Sequence, residues 1–270
     1  METAAGDDQM EEPLLTCRNV SKHFGALAAV NNLSVKVKAG EVLGIGGPNG
    51  AGKTTLFEAI SGLNPASSGE IIFQGRDITR LPPDAVCHAG IARTYQLNAG
   101  FDSMSVRDNV RVAAYFGRRN RRIPGFRFGS DSDAQVREAL ELVGLADKGD
   151  ELTGRLPVVD RKLLMLAGAL ASNPKLLLMD EPVGGLNPKE IDLVMEVTRR
   201  IVGRGITIIL IEHVMRFLVQ LSDRVLIMHH GEKIYEGSPQ GLVHDRNVVD
   251  VYLGEGASQR LGALMQQVSA

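Results

Sequence analysis

Gly47-Pro48-Asn49-Gly50-Ala51-Gly52-Lys53-Thr54 decides how this sequence folds. It satisfies Gly-x-x-x-x-Gly-Lys-Ser/Thr at every position, and glycines so spaced let successive backbone N–H groups turn inward around phosphate oxygens. The preceding stretch, Glu41-Val42-Leu43-Gly44-Ile45-Gly46, reads as a buried strand. Thr54 to Ser61 reads as a helix closed by Gly62. A strand before the loop and a helix after it aim the helix's positive end at the anion. Lys53 then reaches the β- and γ-phosphates, and the Thr54 hydroxyl becomes a ligand for Mg²⁺.

The flanking sequence extends this into an α/β fold. Leu33, Val35 and Val37 alternate as in a half-buried strand, and Glu70-Ile71-Ile72-Phe73 between Gly69 and Gly75 predicts a short strand of an antiparallel edge sheet. Leu176-Leu177-Leu178-Met179 and Ile206-Thr207-Ile208-Ile209-Leu210-Ile211 are continuous apolar runs, which suit a parallel sheet covered on both faces. Between residues 100 and 172 helical spacing takes over. Helices are predicted over Val106–Phe116, around Val136, Leu140 and Val143, and over Leu163–Ala171. Arg224–Met228 and Lys233–Tyr235 flank His229-His230-Gly231-Glu232, a predicted hairpin turn.

Two further stretches carry chemistry. Leu176–Met179 runs into Asp180-Glu181-Pro182. An acid at the end of a buried strand suits the aspartate that holds Mg²⁺, and Glu181 follows where a carboxylate can take a proton from the water attacking the γ-phosphate. Ile211-Glu212-His213 places His213 on the same rim, in reach of the γ-phosphate or of Glu181.

Composition sets limits. The 270 residues are 44% hydrophobic and 23% charged, ordinary values for a globular chain, with 4% aromatics and no Trp. A net charge of -2 argues against a nucleic-acid partner. Cys17 and Cys87 make no disulfide framework and suggest a reducing compartment. Residues 1–12 are acidic and read as a disordered tail, not a secretory signal. No run approaches the roughly 20 apolar residues needed to cross a bilayer. Arg118, Arg119, Arg121, Arg122 and Arg127 form a basic loop, open to solvent or to lipid headgroups.

Together these residues resemble the ATP-binding cassette (ABC) ATPases, and among them the ATP-binding subunits of branched-chain amino acid importers. The resemblance spans about residues 13 to 255. It rests on Gly47–Thr54 followed by Thr55-Leu56-Phe57, Ala92-Arg93-Thr94-Tyr95-Gln96, Leu156–Lys162, Asp180-Glu181, Gly185-Leu186-Asn187-Pro188, Ile211-Glu212-His213-Val214-Met215 and Val251-Tyr252-Leu253-Gly254-Glu255. It implies a P-loop NTPase core with a mixed, mainly parallel sheet, an antiparallel β edge subdomain and a helical subdomain. The core and β subdomain would occupy 13–99, the helical subdomain 100–172 and the second part of the core 173–255, with 256–270 a tail or helix.

The resemblance also implies roles. Phe24 stacks on adenine, an aromatic face suited to a purine. Gly47, Pro48, Asn49, Gly50, Ala51, Gly52, Lys53, Thr54 and Thr55 bind the nucleotide. Thr54, Gln96 and Asp180 surround Mg²⁺, while Glu181, His213, Lys53 and Gln96 serve hydrolysis. Implied partners are a second ABC ATPase subunit, membrane-spanning permeases that dock on the helical subdomain and, indirectly, a periplasmic solute-binding protein. The place of work would be the cytoplasmic face of the inner membrane. An exporter subunit and a soluble ABC ATPase remain alternatives.

One stretch departs from the pattern. Where the family carries Leu-Ser-Gly-Gly-Gln, which closes over the partner subunit's nucleotide, this chain has Leu156-Pro157-Val158-Val159-Asp160. Pro157 has neither hydroxyl nor N–H. Val159 is expected to crowd the phosphate, and Asp160 to bring negative charge towards it. A heterodimer with a second ATPase follows, with a symmetric homodimer as the alternative.

Overall fold

The computed structural model describes residues 12–95, 100–117 and 130–253. In chain order its strands are β1 (Leu15–Phe24), β2 (Leu27–Val37), β3 (Val42–Gly46), β4 (Ser68–Phe73), β5 (Arg76–Asp77), β6 (Ile91–Arg93), β7 (Leu176–Asp180), β8 (Thr207–Ile211), β9 (Arg224–His229) and β10 (Glu232–Gly237). The longer helices are α1 (Lys53–Ile60), α2 (Pro83–Ala89), α3 (Val106–Phe116), α4 (Ser130–Val143), α5 (Val158–Ala171), α6 (Pro188–Val202) and α7 (Met215–Leu221).

Two sheets result. The order β10-β9-β3-β8-β7-β6 is parallel except for β10, and β2-β1-β4-β5 is antiparallel. All five residues of each of β3, β7 and β8 are buried. Period-2 geometry sends their side chains to opposite faces. Leu177, Met179, Ile208 and Leu210 enter one core with α3, α4 and α5, while Leu176, Leu178, Ile209 and Ile211 enter another with α1 and the antiparallel sheet. Each such side chain contributes about 1.5–3 kcal/mol on burial, and this sandwiching fixes where the strand ends emerge.

The helical layer follows its sequence pattern. Val106, Val110 and Ala114 on α3 pack with Val136, Leu140 and Val143 on α4 and with Leu163 and Ala167 on α5. The helix expected from Leu163 begins earlier, at Val158, because Pro157 takes the N-cap with φ -56 and ψ 159. The β9–β10 turn falls where the sequence put it. His230 (φ 46) and Gly231 (φ 81) are both left-handed, as a two-residue hairpin turn of this hand requires.

Candidate functional site

The site lies where β3 and β7 end. The β3–α1 loop turns through Gly47 (φ 140), Gly50 (φ 79) and Gly52 (φ 98). A Cβ on Gly47 would stand 2.2 Å from the Met228 carbonyl oxygen, and one on Gly52 2.0 Å from that of Ala29. Both positions therefore exclude side chains, and the loop wraps tightly, with the Ala51 N–H donating to the Pro48 carbonyl. No side chain caps α1 and its first turn carries no acid, so its positive end stays available. Lys53 is buried and donates to the carbonyls of Gly47 (2.8 Å) and Pro48 (2.9 Å). Burial lowers its pKa, against the pull of Glu181 and Asp180.

A cleft of about 430 Å³ opens over the loop, lined by Phe24, Ala28, Asn49 to Thr55, Glu181 and His230. Phe24 ends β1 with 47% of its surface exposed, so it is no core residue, and Lys22 Nζ sits 5.2 Å from its ring centre. Thr54 is exposed and Thr55 half-buried beside it. The structure thus gathers Phe24, Asn49 to Thr55 and Glu181 around one cavity, while Gly47 and Pro48 lie behind it and accept from Lys53. Gln96 lies outside the described residues, as do the arginines at 118–127.

Asp180 is buried at the tip of β7, and burial raises its pKa against the opposing effect of Arg93, whose Nη2 donates to it at 2.9 Å. Glu181 holds a left-handed φ of 47, its N–H donating to the Ile211 carbonyl and its own carbonyl accepting from buried Lys162. His213 Nδ1 stands 3.9 Å from Glu181 Oε1, beside the carboxylate but beyond hydrogen-bond reach. Thr54 and Asp180 offer hard oxygen donors of different kinds. Among the described residues no three His, Cys, Asp or Glu cluster as a self-sufficient metal site. Such a set fits Mg²⁺, which takes few protein ligands and completes its shell with phosphate and water.

Two residues to which the sequence reading gave no role of their own hold the site together. Glu212 is fully buried and accepts from the N–H groups of Val183 (3.0 Å), His213 (3.0 Å) and Val214 (3.1 Å), tying the loops after β7 and β8 together. Its position directly after a buried strand was the available signal. Arg93 is the other; Asp180 lies 87 positions away, and spacing alone gave no sign of the pair.

The Leu156–Lys162 segment corrects two expectations. Val159 points into the helical core, 9% exposed, and it is Val158, 51% exposed, that stands outward. Asp160 is buried and paired with Lys148, so its charge is already answered within the chain. Arg161 reaches back to Asp102 (2.9 Å) and the Gly154 carbonyl (2.9 Å). Asn187, after Gly185-Leu186, caps α6 by accepting from the N–H groups of Lys189 and Glu190, while Glu190 returns a bond to its N–H.

A phosphate-cradling loop facing a strand-end Asp-Glu pair, on a parallel sheet, defines a P-loop nucleotide triphosphatase. Comparison with known proteins narrows the class. Residues 30–184 match the ABC transporter family model, and the chain belongs to that family and is an ATPase. It is 33% identical to the high-affinity branched-chain amino acid transport ATP-binding protein LivG of Salmonella typhimurium, over 91% of this chain and 100% of the relative. To BraF of Pseudomonas aeruginosa, described in the same terms, it is 31% identical over 91% of this chain and 100% of that one. Among solved structures, a nucleotide-free ATP-binding cassette from an ABC transporter superposes with a TM-score of 0.81 at 30% identity, covering 90% of this chain and 100% of the other.

Proposed function

We propose that this chain is the ATP-hydrolysing subunit of an importer for branched-chain or other amino acids, working on the cytoplasmic face of the inner membrane. The observation that carries hydrolysis is Glu181 on the wall of the cleft that Lys53 and the phosphate loop line. The loop amides and the N-terminus of α1 receive the phosphates, and Lys53 leaves its two carbonyl acceptors to neutralise the β- and γ-phosphate oxygens. Glu181 accepts a proton from the water placed in line with the γ-phosphate, and His213 orients Glu181 or meets the γ-phosphate itself. Phe24 stacks on the base. Thr54, Asp180 and Gln96 would hold Mg²⁺, which when bound neutralises charge on the phosphates.

Import and its solute class are supported by the relatives, whose names state branched-chain amino acid transport. No helix among the described residues is long and apolar enough to cross a membrane, so the transport path belongs to permease partners. A groove of about 500 Å³ between α2, α3, α5 and the end of β6 exposes Tyr95 (47%), Phe101 (57%) and Phe116 (70%). Contiguous exposed apolar surface of this kind suits a protein partner, here a permease segment on the helical subdomain. A periplasmic solute-binding protein would deliver solute to those permeases.

Pro157 and the outward Val158 favour pairing with a different ATPase. This chain's Gly47–Thr54 site would be closed by the partner's intact signature, and the partner's site by a poorer one. ATP binding closes the pair, and hydrolysis with product release reopens it.

Reconstitution in proteoliposomes with the native permeases tests the reading. ATP inside the vesicle compartment facing this chain should drive leucine, isoleucine or valine across the bilayer towards it. Glu181→Gln should lower ATP turnover about 10²–10⁴-fold while nucleotide still binds. Movement of solute away from the ATPase side would instead make it an exporter, and unchanged turnover in Glu181→Gln would remove the base assignment.

A further inference from the structure

Arg93 joins the metal site to the partner groove. Its side chain is 6% exposed, as is that of Asp180. One nitrogen of the guanidinium donates to Asp180 Oδ2 at 2.9 Å and another to Ser61 Oγ at 3.3 Å, while Nε is buried with no hydrogen-bond partner. The ring centres of Tyr95 and Phe57 lie 5.0 Å and 5.8 Å from its Cζ. Tyr95 lines the groove, and Asp180 ends β7 directly before Glu181, which lines the nucleotide cleft.

This arrangement answers a physical need. Asp180 ends a fully buried strand, and a carboxylate there demands a cation. Arg93 supplies one before any divalent cation arrives. Once a divalent cation neutralises the same carboxylate, a second full positive charge in that small buried space is no longer favoured. Arg93 has somewhere to turn. Ser61 Oγ already accepts from it, and Glu58, one turn earlier on α1, carries a charge that Asp180 feels. An arginine with an unsatisfied Nε loses less on leaving than a fully bonded one.

We propose that Arg93 is a positioning residue: it holds Asp180 as a resident counter-cation, releases it when Mg²⁺ is taken up with nucleotide, and carries that change to Tyr95 in the groove. The inference rests on the reading of Asp180 as a Mg²⁺ ligand. It gives the groove a physical link to the state of the nucleotide site through one side chain and two residues of β6 and its extension.

The chain has no Trp, so Tyr95→Trp makes a single reporter stacked on Arg93. In the purified full-length chain, emission would be recorded with the β,γ-imido analogue of ATP in EDTA, then on titration with Mg²⁺. Equilibrium dialysis would follow nucleotide binding in parallel. The expected result is a saturable Mg²⁺-dependent change in emission, since the cation over the ring moves. That change should be lost in Tyr95→Trp combined with Arg93→Met, with nucleotide still bound. No change on Mg²⁺ addition in the Tyr95→Trp protein, or an equal change after Arg93→Met, overturns the proposal. If Arg93→Met does not fold, Arg93→Lys replaces it: the change should fall by at least about half, because an ammonium is a point charge without the planar face that lies against the ring. A full-sized change there also overturns it. Failure of nucleotide to bind at all would instead strike down the Gly47–Thr54 reading and this proposal with it.

Discussion

The N-termini of α1 and α5 are prepared for opposite situations. At α1 the chain enters through Gly52, the first turn has no acid, and no side chain occupies the cap. At α5 the chain enters through Pro157, Asp160 sits in the first turn, and Lys148 already holds that carboxylate. The first end lacks an anion and is shaped to receive one; the second brings its own. A helix dipole alone therefore does not make a phosphate site. What distinguishes the two is the backbone before the helix, glycine free to expose N–H groups in one case and a residue without an N–H in the other.

The strongest way to break the comparison is to close the first end. Gly52→Val would place a branched side chain at φ 98 against the Ala29 carbonyl. Strain of this kind costs several kcal/mol, and nucleotide affinity measured by dialysis should fall at least about 100-fold, or about 2.7 kcal/mol. Next comes the support beneath the cleft. Glu212→Ala leaves buried N–H groups of the loops after β7 and β8 unpaired, and denaturant unfolding should show a loss of about 2–3 kcal/mol.

Glu212 also gives a pH signature. Burial raises its pKa above the usual 4.5, more than its backbone hydrogen bonds lower it. The folded protein then binds this proton more tightly than the unfolded chain. Stability is fully helped by it below the unfolded pKa and declines as pH rises from about 4.5 through the raised value. Glu212→Gln should remove that slope, seen as a difference in melting temperature between wild type and variant that changes with pH across this window. The smallest effect concerns the cap of α6. Asn187→Ala should cost about 1 kcal/mol in unfolding with little change in nucleotide affinity, since its oxygen is engaged with Lys189 and Glu190.

Much of this was legible in the sequence where local pattern and local structure coincide. The loop with its flanking strand and helix carries its own signal, and α3 runs from Val106 to Phe116 as its periodicity says. Strand β1 escaped because its register shifts between Cys17 and Val20 and again before Lys22 and His23, which breaks the alternation that marks a strand. Pro157 suits the first turn of a helix, but periodicity marked α5 only from Leu163, since Val158 and Val159 are β-branched residues that favour strand over helix. The inward turn of Val159 followed from that helix phase and could not be read without it. Contacts such as Arg93 with Asp180 depend on β6 lying next to β7, a fact of topology and not of spacing.

On the function proposed above, Gly47–Thr54 forms the working half of an ATP site whose other half comes from a different subunit. ATP turnover should be measured in the assembled complex with either Glu181→Gln or Pro157→Ser/Val158→Gly in this chain, Val158 being the outward residue. A loss of about 10²–10⁴-fold is expected from the first and less than about a twofold change from the second. A large gain from Pro157→Ser/Val158→Gly, with Glu181→Gln nearly silent, would contradict it.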